Sequence, residues 1–203
     1  PIHLMNVVMH LINIWLVFKF ISELTEKKNI ALIVAFLFAL HPMNVEAVSW
    51  MSARSSSMYV LFYLLALRSY VRYHKTNFLT KHLIIAALYF IVSLFSKAQA
   101  VTLPVLLFAI DYYYNRKLNA KLLLEKIPFF ALSVIFGLIT VMDSDTQGNL
   151  KDGMLISYNA VDLFFMVCYS FAFYFVKLIV PANLCGIYVY PPKTGGSLPW
   201  EYY

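Results

Sequence analysis

Apolar residues gather in seven runs along this chain, separated by short polar or basic turns. The runs cover residues 4–21, 30–40, 45–73, 83–95, 101–114, 127–142 and 161–180, and the third is most apolar at 58–67. None alternates apolar and polar positions with the period of two that a membrane barrel strand requires. Each therefore predicts a helix. Pro42 predicts the end of the second helix, because proline disfavours helical geometry in the residue before it. Asn44 is the expected cap of the next one. Several runs fall short of the roughly 20 residues that cross a bilayer, and the polar flanks at 25–29 and 80–82 lengthen them. The predicted fold is all-α, a polytopic transmembrane helix bundle of about six to eight membrane helices.

Composition points the same way. The chain is 62% hydrophobic and 13% charged, whereas a soluble domain carries about 45–50% apolar and about 25% charged residues. No single buried core uses that excess, and a lipid bilayer accepts it. The chain opens at Pro1 inside an apolar stretch and closes at Tyr203 without a polar tail. The expectation is one part of a larger transmembrane domain over 1–203, cut at both ends.

The net charge of +6 raises the question of nucleic acid. The basic residues lie between apolar runs and form no stripe, so no nucleic-acid partner is expected. Ten of the 16 basic residues instead fall in alternate turns: Lys27 and Lys28; Arg68, Arg72, Lys75 and Lys81; Arg116, Lys117, Lys121 and Lys126. The positive-inside rule makes those turns cytoplasmic. His41, Glu46, Arg54, Lys97 and the polar loop 143–153 then lie on the outer side. Cys168 and Cys185 have neither metal spacing nor the pattern of a disulfide framework. There is no Gly-rich phosphate loop and no nucleophile elbow. No cofactor is evident, and no spacing assigns a metal ligand.

Candidate chemistry concentrates at the outer turns. His3, Asn6, His10 and Asn13 are spaced three, four and three apart, on one face of the first helix. Polar groups at bilayer depth face a wet cavity or a neighbouring helix, so the stripe lines a groove or holds the bundle together. Glu46, Trp50 and Arg54 recur at intervals of four, which puts them on one helical face. A carboxylate, an indole and a guanidinium suit a sugar-phosphate headgroup; an internal ion pair and interfacial anchoring of Trp50 are the alternatives. Lys97, at the outer end of the fourth run, meets a lipid phosphate or snorkels to the interface. Asp111 has an interfacial role at a helix end.

These residues also carry a resemblance. His3-Leu4-Met5-Asn6 with His10 and Asn13, then His41-Pro42, Val45-Glu46-Ala47-Val48, Trp50 and Arg54, form two motifs in order. Ser96-Lys97, Ala100-Val101-Thr102-Leu103-Pro104 and Asp111-Tyr112 form a third; Pro181-Ala182-Asn183-Leu184 with residues 188–192 forms a fourth. Together they resemble the membrane-embedded O-mannosyltransferase-like proteins linked to tetratricopeptide repeats, within the GT-C glycosyltransferase superfamily. Two departures stand out: Val189 interrupts the last motif, and no 34-residue helical repeat is present.

The resemblance implies a GT-C-like enzyme that moves a sugar, with mannose the candidate, from a polyprenyl-phosphate carrier to a protein or glycan acceptor. Transfer would occur on the periplasmic or lumenal face. The catalytic acid is expected upstream of residue 1, in a loop after an earlier helix. Within this chain, Glu46, Arg54 and Lys97 are the candidates for donor phosphate and acceptor positioning, with His41, His3 and His10 lining the cavity. A non-enzymatic transporter or flippase of lipid-linked sugars is the alternative. The lipid bilayer is the surrounding partner, and the ending of the chain favours a bacterial inner membrane over the endoplasmic reticulum.

Overall fold

Each apolar run forms helix in the computed structural model, which describes residues 2–50, 53–146, 159–182, 184–185 and 198–199. The order is α1 (Ile2–Thr25), α2 (Lys28–Leu40), a 3-10 turn (Pro42–Asn44), α3 (Val45–Ser49), α4 (Arg54–Lys75), α5 (Thr80–Ser96), a second 3-10 turn (Ala98–Thr102), α6 (Leu103–Tyr113), α7 (Ala120–Thr146) and α8 (Ala160–Ile179). No strand occurs among the described residues. The polar loop read at 143–153 begins later than expected, because α7 continues to Thr146. The remainder of that loop and the 188–192 part of the last motif lie outside the described residues.

Pro42 ends α2 as anticipated, but the cap beyond it differs. His41 Nδ1 accepts the Met43 amide at 3.3 Å. Asn44 caps nothing with its side chain; its Nδ2 donates to the Phe38 carbonyl at 2.7 Å and so satisfies a carbonyl in the last turn of α2. The third run also divides. Helix α3 closes at Ser49, Trp50 is extended at φ −82° and ψ 124°, and α4 starts afresh at Arg54. The physical reason is visible on α1, where Asn6 takes the Trp50 carbonyl, which a continuous helix would offer to the Arg54 amide. Glu46, Trp50 and Arg54 therefore do not share one helical face.

Three helical stretches are long and apolar enough to cross a membrane among the described residues: His3–Thr25, Ala120–Met142 and Val161–Ile179. Lys28–Leu40 and Pro42–Ser49, bent by 54°, add a fourth if they make one broken span. This corrects the expected count of about six to eight. Helix α4 has 22 residues, but four cations and the buried Ser57 and Ser69 make it too polar to qualify. Helix α5 has 17 residues and α6 has 11, about 26 Å and about 17 Å of helix against a hydrocarbon core of about 30 Å.

Residues 1–140 form one compact unit and 141–203 a second. The first unit holds two apolar clusters. Leu16 and Val17 of α1, Ala35 of α2 and Leu64 of α4 make the smaller. Residues of α4, α5, α6 and α7 make the larger, centred on Tyr70, Phe90, Leu103, Leu107 and Phe129. Ala66 and Ala86 are fully buried there; such small residues let membrane helices approach closely. Hydroxyls stitch the elements together: Ser93 Oγ donates to the Tyr59 carbonyl at 2.9 Å and Ser133 Oγ to the Val101 carbonyl at 3.1 Å. Ala86→Leu should overpack this contact and cost about 1–3 kcal/mol, read as a lower unfolding midpoint in detergent micelles. In the second unit, α8 starts from a capping box. Asn159 Oδ1 accepts the Asp162 amide at 2.8 Å and Asp162 Oδ2 accepts the Asn159 amide at 3.1 Å.

Helices α1 and α4 run parallel, with Asn6, Asn13 and Glu23 meeting Trp50, Ser57 and Arg68 in order, and α2 and α5 run back against them, so the first unit has two ends. His41, Trp50 and Lys97 mark one; Lys27, Lys75 and Arg116 mark the other.

Candidate functional site

The polar stripe on α1 serves mainly to join helices. Asn6 and Asn13 are 0% and 2% exposed. Their Nδ2 groups donate at 3.0 Å to the carbonyls of Trp50 and Ser57, tying α1 to the start of α4 and the bend before it. His10 is half-buried, with Nε2 3.4 Å from the Ala39 carbonyl oxygen and its ring 5.5 Å from Phe38. His3, one turn before Asn6, is exposed. The stripe thus holds the bundle at both asparagines and reaches the surface at His3. Interhelical polar bonds in membranes contribute about 0.6–2 kcal/mol, so Asn13→Ala should lower stability by that amount in a denaturant titration.

The sequence candidates gather at the His41 end on three consecutive elements. His41 is half-buried and begins the 3-10 turn, Glu46 is exposed on α3, and Arg54 is exposed at the first position of α4. Lys97 is half-buried just past α5, and its Nζ donates to Ser56 Oγ at 2.8 Å. Ser57 Oγ donates to the Ala47 carbonyl at 3.5 Å, which holds α3 against the start of α4. Trp50 stays 51% exposed between them.

Among the described residues, no ion pair joins Glu46 to Arg54 and no carboxylate pairs with Lys97. The ion-pair reading of Glu46 and Arg54 is thereby set aside. Among the described residues, Arg54 and Lys97 at this end have no carboxylate partner, Glu46 has no cation, and the Trp50 indole is open. Among the described residues, no group of three His, Cys, Asp or Glu side chains is placed to hold a metal ion.

The opposite end contains a network that the sequence reading missed. Asp111, 2% exposed, accepts from Tyr70 Oη at 2.7 and 2.9 Å, His74 Nε2 at 2.7 Å and Lys126 Nζ at 2.7 Å. Arg116 Nη1 lies 3.5 Å away. Lys126 also donates to Tyr70 Oη. Arg116 makes a bidentate pair with Glu125 at 2.7 and 2.9 Å, and Tyr73 donates to the same carboxylate at 2.8 Å. Burial opposes the Arg116 charge, but the hydrogen bonds and charge of Glu125 override it and push the guanidinium pKa up.

Phe78, held at φ 62° in the left-handed region that bulky side chains avoid, lies under the Arg116 guanidinium at 4.4 Å. Lys126 and Arg116 read as topology signals in the sequence, and Asp111 as an interfacial helix end. The available clues were Tyr70 and His74 four apart on α4, and an acid alone in the run 101–114.

The fold defines a membrane-embedded, all-helical protein. The motif resemblance is borne out by similarity to proteins named protein O-mannosyl-transferase. Tmtc1 of Drosophila melanogaster is 35% identical over 100 residues, 49% of this chain and 12% of that protein. F38B6.6 of Caenorhabditis elegans is 26% identical over 196 residues, 90% of this chain and 26% of that protein. TMTC1 of Mus musculus is 34% identical over 71 residues, 34% of this chain and 8% of that protein. The chain therefore spans about a quarter or less of each of these relatives. No protein-family profile matches it, and no solved structure does. These relatives are animal proteins, which weighs against the bacterial inner membrane expected from the sequence.

Proposed function

We propose that these residues are part of one larger transmembrane domain, and that the complete protein is a glycosyltransferase of the O-mannosyl type. Its donor is a polyprenyl-phosphate sugar, mannose in this reading, and its acceptor is a hydroxyl of a protein or glycan. The observation that carries the proposal is Lys97, a half-buried ammonium held by the Ser56 hydroxyl with no carboxylate partner among the described residues. A cation without a counter-ion at the mouth of a membrane bundle is matched by a lipid phosphate.

In this reading the acceptor oxygen attacks the anomeric carbon, the bond from that carbon to the phosphate oxygen breaks, and the polyprenyl phosphate leaves with the electron pair. An inverting displacement of this kind builds charge on the departing phosphate. Lys97 and Arg54 stabilise it, because fixed cations act where charge develops. Glu46 positions the acceptor hydroxyl, and its proton goes to an acid–base group elsewhere in the complete protein. His41, His10 and His3 border the cavity. The basic turns at the Lys27 end place that end in the cytoplasm, so transfer takes place on the lumenal side of a eukaryotic secretory membrane.

The test is a comparison of Arg54→Ala with wild type in the complete protein, assaying mannose transfer over a range of donor concentrations. A lowered kcat and a lowered kcat/KM for the donor, with the acceptor KM unchanged, is the expected result. Unchanged donor kinetics would remove Arg54 from the site.

A further inference from the structure

A second charged constellation lies on the outer faces of α1 and α4 toward the Lys27 end, separate from the Asp111 network. Trp15, Lys19 and Glu23 follow one another at four-residue intervals on α1, and Arg68 and Arg72 do the same on α4. Glu23 is shared: Arg68 binds it through Nε at 3.2 Å and Nη2 at 2.5 Å, and Arg72 reaches it at 3.3 Å. The Lys19 ammonium sits 5.6 Å from the Trp15 ring centroid and the Arg68 guanidinium 5.7 Å from it. Two arginines thus share a single carboxylate, with Lys19 one turn away on α1. Trp15 is 52% exposed and the Arg72 side chain 53%, so the stripe is open to its surroundings. Lys19 has no carboxylate partner among the described residues.

An uncompensated charge on a membrane helix is costly and calls for a partner. Lys19 lies six residues inside the end of α1 and Arg72 three inside the end of α4, about 9 Å and about 4.5 Å along each axis. That is the depth at which headgroups meet acyl chains. The basic turns assign this end to the cytoplasmic leaflet, which is the anionic one.

We propose that Trp15, Lys19 and Arg72, with Arg68 clamped to Glu23 behind them, bind the phosphate-bearing headgroup of an anionic phospholipid in the cytoplasmic leaflet. Lys19 and Arg72 take the headgroup oxygens. The exposed indole lies one turn, about 6 Å, deeper than Lys19 and packs on the acyl chain below the headgroup. Glu23 keeps Arg68 and Arg72 in register, so the site is preformed.

The experiment uses the complete protein reconstituted in phosphatidylcholine vesicles with and without phosphatidylserine. It is then extracted in mild detergent and the retained lipid is measured by mass spectrometry. Wild type is expected to retain phosphatidylserine above its share of the vesicle and to melt at a higher temperature when it is present. Lys19→Gln with Arg72→Gln should weaken retention by about 5-fold per cation removed, leaving the melting temperature in phosphatidylcholine unchanged. Lys19→Arg should keep retention. Lys27→Gln with Lys28→Gln, which removes charge at the same end but outside the stripe, should leave it intact. Equal retention by wild type and the Lys19/Arg72 variant would overturn the proposal, as would an equal loss in the Lys27/Lys28 variant, the mark of diffuse surface charge. A wild type that shows no preference for phosphatidylserine would overturn it too, pointing to a protein segment covering the stripe.

Discussion

Asp111→Ala should destabilise the first unit by about 3–5 kcal/mol, the cost of removing one partner from a buried ion pair. The size follows from what the carboxylate holds. Lys126 is 1% exposed and would be left with the Tyr70 hydroxyl and the Tyr70 and Phe108 ring faces but no bonded carboxylate. Tyr70 Oη and His74 Nε2 would lose their acceptor in the same place. Arg116 would be spared, because Glu125 already takes both of its terminal nitrogens. The larger apolar cluster shares Tyr70 with this network, so loss of the carboxylate should loosen α4, α6 and α7 together. Unfolding in mixed micelles measures the effect. Replacing both partners, Asp111→Leu with Lys126→Met, should cost less than Asp111→Ala alone, since an apolar pair leaves no buried charge. A double variant as unstable as the sum of its parts would show that the pair is not coupled.

Lys97→Met should lower sugar transfer about 100-fold, the scale seen when one preorganised group that stabilises developing charge is removed. Folding should survive, because Lys97 is half-buried and makes one bond to a neutral hydroxyl. Lys97→Arg should recover part of the loss by restoring charge at the same place. Ser56→Ala should cost only a few-fold (roughly 1 kcal/mol for a neutral hydrogen bond), since the ammonium stays but loses its fixed position. Kinetics with donor and acceptor varied in turn separate these outcomes: the effect belongs to the donor, and a change confined to the acceptor KM would assign Lys97 to the acceptor instead.

The helical plan was legible because it rests on runs of apolar residues and on Pro42, both local signals. The bend at Trp50 was not, because it depends on the Asn6 amide 44 residues away in sequence reaching the Trp50 carbonyl. A spacing of four therefore suggested one continuous face where the backbone breaks. The spans were overcounted for a related reason: α4 has the length of a span, but its polar residues find partners on other helices. His41, Glu46, Arg54 and Lys97 were legible as polar residue types in turns of one sidedness. The contact of Lys97 with Ser56 was not, since it joins two elements 41 residues apart. The Asp111 network was hidden in the same way. Lys126 and Arg116 look like ordinary turn cations until α4, α6 and α7 converge on one acid.

In the proposed reaction the complete protein moves mannose from a polyprenyl phosphate at the His41 end. The most direct measurement is transfer from radiolabelled polyprenyl-phosphate mannose by membranes containing the complete protein, beside Glu46→Gln at matched expression. Transfer by the wild type and its loss in the variant is the predicted result. Folded wild-type protein that transfers no mannose, or a variant as active as wild type, would contradict the account, the first at the level of the reaction and the second at the level of the site.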